Sequence, residues 1–190
     1  ADKGLARHLD GARLFNAATV QAAQGGGDVY AEARRIAQCF DSVSVCFSKG
    51  LGAPVGSALC GSRAFIARAH RIRKMAGGGM RQSGLLAAAA AHALEHHVRR
   101  LAEDHALAQR LANGLAGIEG LSVQAPQSNI VFVQLQGAAA GRGAELLAAL
   151  AGQGILATGL YQQLRFVTHL DVDAAGGERA VAAVRHFFNA

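Results

Sequence analysis

Short apolar runs alternate with longer stretches of helical period through the first half of the chain. The pattern predicts a strand at about residues 6–10, a helix beginning near Gly11-Ala12-Arg13-Leu14-Phe15, and a second helical stretch over 30–40. The apolar run Val43-Ser44-Val45-Cys46-Phe47 predicts a buried strand over 42–47, and 55–60 reads as another. A helix follows over 63–75, then the breaker Gly77-Gly78-Gly79, then an alanine-rich helix from Ser83 to about Leu115 that is expected to bridge two domains. This is the cadence of an α/β domain, in which loops at strand ends carry the chemistry.

Beyond Gly120 the pattern changes. Residues 121–124, 130–135 and 164–168 read as strands, 144–150 and 177–188 as helices, and 137–143, rich in small residues, as a flexible connection. Strands beside a helix pair suggest a smaller α+β domain. The expected division is therefore 1–105 for a larger domain that includes the start of the bridging helix, and 106–190 for a C-terminal one.

Composition narrows the classes. At 51% hydrophobic, 190 residues can bury a sizeable core, with alanine and glycine in place of large aromatics. A formal charge of +6 invites a nucleic-acid reading. The densest basic stretch, Arg68-Ala69-His70-Arg71-Ile72-Arg73-Lys74, has no interleaved aromatics and no binding motif, so no nucleic-acid partner is expected, and arginine-rich sites suit small carboxylates or phosphates equally well. Cys39, Cys46 and Cys60 form no disulfide-dense pattern, which fits a cytoplasmic location. Apolar stretches are broken by His, Arg or Gly before they could span a bilayer, so no membrane partner is expected.

Candidate chemistry centres on Lys49, one of three lysines, in Ser48-Lys49-Gly50-Leu51-Gly52-Ala53-Pro54-Val55-Gly56 at the exit of the 42–47 strand. A lysine delivered among glycines from a buried strand can be desolvated, which lowers its pKa and makes it an amine that captures a carbonyl as a Schiff base. The bland alternative is a strand-end lysine reaching water. Asp10 ends the first strand and precedes Gly11, whose missing side chain would let a flat ring approach the backbone. A carboxylate there can keep a pyridinium nitrogen protonated, as in pyridoxal phosphate enzymes, although Asp is also a common helix N-cap. Arg13, three residues on, would face the same side and could clamp an anion.

Four blocks together resemble the low-specificity L-threonine aldolases: His8-Leu9-Asp10-Gly11-Ala12-Arg13-Leu14-Phe15-Asn16-Ala17, Phe47-Ser48-Lys49-Gly50-Leu51-Gly52-Ala53-Pro54-Val55-Gly56-Ser57, Arg73-Lys74-Met75-Ala76-Gly77-Gly78-Gly79-Met80-Arg81-Gln82-Ser83-Gly84, and Arg165-Phe166-Val167-Thr168-His169-Leu170-Asp171. The resemblance implies the fold-type I α/β architecture of pyridoxal 5'-phosphate enzymes, with a partial large domain and a C-terminal α+β small domain. It also implies retro-aldol cleavage of L-threonine and L-allo-threonine, β-hydroxy-α-amino acids, to glycine and acetaldehyde, in a homo-oligomer that is usually a tetramer. Residue by residue, it makes Lys49 the catalytic lysine that carries the cofactor, Asp10 the partner of the pyridine nitrogen, and Arg13 and Arg165 the binders of the substrate carboxylate. Arg81 matches a position near the cofactor phosphate, against the alternative of a solvent-exposed loop arginine. The family's phosphate cup, ring-stacking histidine and early serine lie ahead of the Asp-Gly-Ala-Arg block and are not in this sequence, so a C-terminal portion of an aldolase is expected. Rival readings are a β-eliminating lyase of the same fold and an inactive remnant that only oligomerises.

His92-Ala93-Leu94-Glu95-His96 fits the spacing of inverted zinc peptidases. It sits in an alanine-rich helix with other histidines and no downstream carboxylate ligand, so no metal site is expected. His169 follows the Arg165 strand and reads as structural; Asp171 and Asp173 read as caps of the last helix or its preceding turn.

Overall fold

A computed structural model describes residues 3–160 and 163–189, and the chain divides into two compact units, Ala1–Leu101 and Ala102–Ala190. In the first unit, β1 (His8–Gly11) runs parallel to β2 (Ser42–Cys46), which pairs antiparallel with β3 (Ser57–Gly61), in the order β1-β2-β3. The crossover between the parallel strands is made by α1 (Leu14–Gly25) and α2 (Val29–Ala37). Asp28 starts α2, accepting the N–H groups of Tyr30 at 3.0 Å and Ala31 at 3.1 Å. Small residues build this core: Ala18, Ala22 and Ala33 are buried with Leu14, Val29 and Val43, which lets the helices approach the thin sheet closely.

Beyond β3 come α3 (Arg63–Met75) and α4 (Gly84–His96). Ser62 caps α3, its Oγ accepting the Phe65 N–H at 3.2 Å. The single helix expected from Ser83 to Leu115 is two helices: α4 ends at His96 with His97 as its C-cap, and α5 (Leu101–Ala116) starts four residues after that cap. No Gly or Pro stands at the break. Its cause is tertiary, because Val98 and Leu101 are buried in the first unit's core whereas Ala108, Leu111, Ala112 and Leu115 are buried in the second's. The run serves two cores, which one uninterrupted apolar stripe does not do here.

The second unit is a four-stranded antiparallel sheet of order β4-β5-β7-β6, from β4 (Leu121–Val123), β5 (Ile130–Leu135), β6 (Thr158–Leu160) and β7 (Gln163–Val167). The helices are α5, α6 (Gly143–Ala151) and α7 (Ala174–Asn189). Val131, Val133, Leu164 and Phe166 share the buried face with Leu115, Leu146, Leu150 and Val184, following the two-residue alternation of strands. Strand β6 was not expected: three residues, one a glycine, carry too little alternation to read. Within the stretch taken for a flexible connection, 137–139 forms a 3-10 turn with Ala139 buried against the core. Asp173 caps α7, its carboxylate accepting the Gly176 N–H at 2.7 Å.

Thr168, just past β7, joins a buried polar cluster that sequence reading did not identify. Its hydroxyl donates to the Asp104 carbonyl at 2.7 Å, and Asn129 Nδ2 donates to the Thr168 carbonyl at 2.8 Å. The cluster ties the first turn of α5 to the ends of β5 and β7, three residues from Arg165. Beside it, burial pushes the His105 pKa below the usual histidine value, with the Asp104 carboxylate opposing the shift. The unfolded chain then binds a proton that the folded chain holds less tightly, so stability is full above about pH 6.5 and falls as the pH drops below it. Urea unfolding of the whole chain at pH 7.5 and 5.5 is expected to show that loss, and His105→Gln is expected to reduce it. An identical pH dependence in the variant would rule His105 out as its source.

Candidate active site

Parallel pairing brings the first three candidates to one sheet end. In the β1–β2 register Asp10 stands opposite Ser44 and Gly11 opposite Val45, so both strands point their carboxyl ends the same way. Asp10-Gly11 closes one strand, and Lys49 follows the other by three residues. In α/β sheets this edge is where ligands bind, because successive loops leave the sheet there. Asp10 is exposed, with Oδ1 accepting the Ala12 N–H at 3.1 Å. Arg13 occupies the N-cap position of α1, with its Nε buried.

Gly11 has a different explanation from the one expected. A Cβ there would lie 2.7 Å from the Ser44 carbonyl oxygen and 3.0 Å from Val43 Cγ1, so the missing side chain is required by the pairing of β1 with β2. The space is filled by the neighbouring strand and is not open to a ring.

The loop after β2 folds back on itself. Phe47 N–H donates to the Gly56 carbonyl, Ala53 N–H to the Phe47 carbonyl, and Gly52 N–H to the Lys49 carbonyl at 2.8 Å. Gly52 takes a φ of 70°, a left-handed conformation that a side chain would strain. Gly50, Leu51 and Ala53 are buried while Ser48 and Lys49 are exposed. The desolvation expected for Lys49 at a strand exit is therefore corrected: the turn buries the residues after it and lifts the lysine into solvent.

Cys46 reports the electrostatics of this edge. Partial burial raises its pKa, but hydrogen bonding to Ser48, whose Oγ is 3.3 Å from Sγ, together with the positive charges of Lys49 and Arg13, brings it below the ordinary thiol value. Two cations thus act on one point at the end of β2. The sequence pattern of the three cysteines gave Cys46 no role; its signal was its position, three residues before Lys49.

The remaining candidates lie on other elements. Arg81 is exposed in the loop between α3 and α4, next to Gln82, whose φ is 52°. Arg165 lies in the second unit on β7, opposite Phe132 of β5 and Thr158 of β6. It alternates with the buried Leu164 and Phe166 and so occupies the sheet face away from that unit's core. A cavity of about 780 Å³ opens in the same unit beside Gly120, Arg142, Arg185 and Phe188, and contains none of the candidates. Its lining offers a carboxylate, Glu119, but no amine, thiol or hydroxyl side chain, and the sheet edge, which presents a lysine amine, is the better candidate site on chemical grounds. Among the described residues no group of three or more His, Cys, Asp or Glu is placed to hold a metal ion, and no helix is long and apolar enough to cross a membrane.

Known proteins share this arrangement of sequence and fold. The chain is 44% identical over 175 residues to the low specificity L-threonine aldolase of Escherichia coli strain K12, covering 90% of this chain and 47% of that protein. It is 41% identical over 169 residues to low-specificity L-threonine aldolase 1 of Arabidopsis thaliana, covering 87% of this chain and 45% of that one. The chain thus spans about half the length of these relatives. The solved structure of Leishmania major threonine aldolase superposes with a TM-score of 0.75 at 21% identity, covering 98% of this chain and 53% of that one. Its fold, shared also with aminotransferases, is the fold-type I α/β architecture. A family model described as beta-eliminating lyase matches residues 1–138, and with that match over most of its length the chain belongs to the beta-eliminating lyase family.

Proposed function

We propose that this chain carries the lysine and the carboxylate-binding arginines of a pyridoxal phosphate-dependent aldehyde-lyase that cleaves L-threonine and L-allo-threonine to glycine and acetaldehyde. The observation that carries the reading is the parallel β1–β2 pair, which delivers Asp10, Arg13 and Lys49 to one carboxyl edge. A carboxylate, a primary amine and guanidinium groups are the donor set this cofactor requires. Residues 1–105 then belong to the cofactor-binding domain, and 106–190 form the small domain.

When bound, pyridoxal phosphate supplies an electron sink for the electrons of a breaking Cα–Cβ bond. Lys49 would provide the amine that holds the cofactor, presented on a flexible, exposed stem. Asp10, oriented by the Ala12 N–H, would keep the ring nitrogen protonated. Arg81 neutralises the phosphate. Arg13 and Arg165 would bind the substrate carboxylate through forked, charge-assisted bonds that fix rotation about Cα. In a homo-oligomer, a tetramer on this reading, the apolar side chains that α3 exposes, among them Ile72 and Met75, offer surface for association.

The family's own description favours one other reading, β-elimination. Incubation of L-threonine with a cofactor-loaded protein of the relatives' length that carries this sequence separates the two. Glycine and acetaldehyde in equal amounts are expected; a 2-oxo acid and ammonia in their place would establish elimination.

A further inference from the structure

The loop that presents Lys49 is tied down by a residue 46 positions away from Leu51. Leu51 is buried, and its carbonyl oxygen lies 2.6 Å from Nδ1 of His97. A carbonyl can only accept, so Nδ1 carries the proton whatever the charge of the ring. The loop's own closing bonds use the carbonyls of Phe47, Lys49 and Gly56 and leave that of Leu51 to His97. A buried carbonyl deprived of its donor is costly, which gives this bond a firm hold on the turn.

His97 is itself fixed. It is the C-cap of α4, its N–H bonding to the Ala93 carbonyl at 2.9 Å, and the His92 ring meets it edge-on with centroids 5.2 Å apart. One turn of α4 is fastened to α2 by the Tyr30 hydroxyl, which donates to the Leu94 carbonyl at 2.7 Å. Arg99 pairs with Asp28 at 3.0 Å and lies over the Tyr30 ring. Apolar contact completes the seat: a Cβ at Gly50 would come within 2.9 Å of Leu101 Cδ2 and 3.3 Å of Asn16 Oδ1. Packing of that kind resists separation but has little direction. The His97 bond supplies direction.

We infer that His97 is a positioning residue for Lys49: through the Leu51 carbonyl it sets where the lysine loop stands over the sheet end that holds Asp10 and Arg13. This rests on the reading of Lys49 as the cofactor lysine.

Hydrogen exchange on the whole 190-residue chain, without cofactor, tests the anchor. In His97→Ala the amides of Gly52 and Ala53 are expected to exchange about tenfold faster relative to those of β2. His97→Asn, whose amide nitrogen can take the place of Nδ1, is expected to restore protection, and His97→Gln, one bond longer, is not. Unchanged exchange at Gly52 and Ala53 in His97→Ala overturns the inference. Should that variant lose protection throughout the unit, equal protection in the Asn and Gln variants overturns it instead.

Borohydride reduction with pyridoxal phosphate supplies the positioning readout. Labelling of Lys49 relative to Lys74 is expected to slow several-fold in His97→Ala and to recover in His97→Asn, and an unchanged ratio overturns the positioning role. Label on Lys3 or Lys74 in place of Lys49 in the unsubstituted chain overturns the reading of Lys49, whatever the exchange at the loop shows.

Discussion

Lys49→Ala, in a protein of the relatives' length that carries this sequence, is expected to lower threonine cleavage by on the order of 10³-fold or more, the scale on which removing an activated amine or base acts. The expectation stems from the position of Lys49 three residues beyond β2, on a turn whose following residues are buried while the lysine reaches solvent. A free and mobile amine is what exchange with a substrate amine requires. Borohydride reduction of the unsubstituted protein should fix pyridoxal phosphate on Lys49, read by mass spectrometry of the digest. Label on Lys3 or Lys74 with Lys49 unmodified would sink the assignment.

Arg165→Ala in the same protein is expected to keep the cofactor chromophore and raise the threonine KM about 10- to 150-fold, because losing a charge-assisted clamp costs about 1.5–3 kcal/mol of binding. The two readouts should separate because Arg165 projects from β7 of the second unit, whereas Asp10 and Lys49 belong to the first. Lysine at 165 should rescue only in part, since a point charge does not reproduce the guanidinium fork. Kinetics indistinguishable from the unsubstituted protein would remove Arg165 from the substrate site.

Much of the element order was legible because its signals are local. The apolar run ending at Phe47 and the aspartate before the last helix are readable within a few residues, and the structure places β2 and α3 within a residue of their expected bounds, while α7 starts at Ala174, ahead of the expected 177. The strand pair β5 and β7 was legible from two-residue alternation. The residue types needed for amine, carboxylate and guanidinium chemistry were likewise visible, since Asp10, Arg13 and Lys49 stand beside predicted strand ends.

Relations between distant segments were not legible. The break after His97 has no breaker residue, and it exists because Val98 and Leu101 belong to one core and Leu111 to another. The buried cluster of Asp104, Asn129 and Thr168 joins three elements whose polar residues look unremarked in sequence. Gly11 is demanded by a carbonyl on the neighbouring strand, and the Leu51 carbonyl finds its donor on His97. By itself, then, the sequence determined the succession of strands and helices and the chemical groups at the candidate site, because propensity, alternation and capping act over a few residues. Only the tertiary structure decided which strand ends share an edge, whether Lys49 is buried or exposed, and which residue holds its loop, because pairing register, burial and long-range hydrogen bonds are properties of segments that meet only after folding.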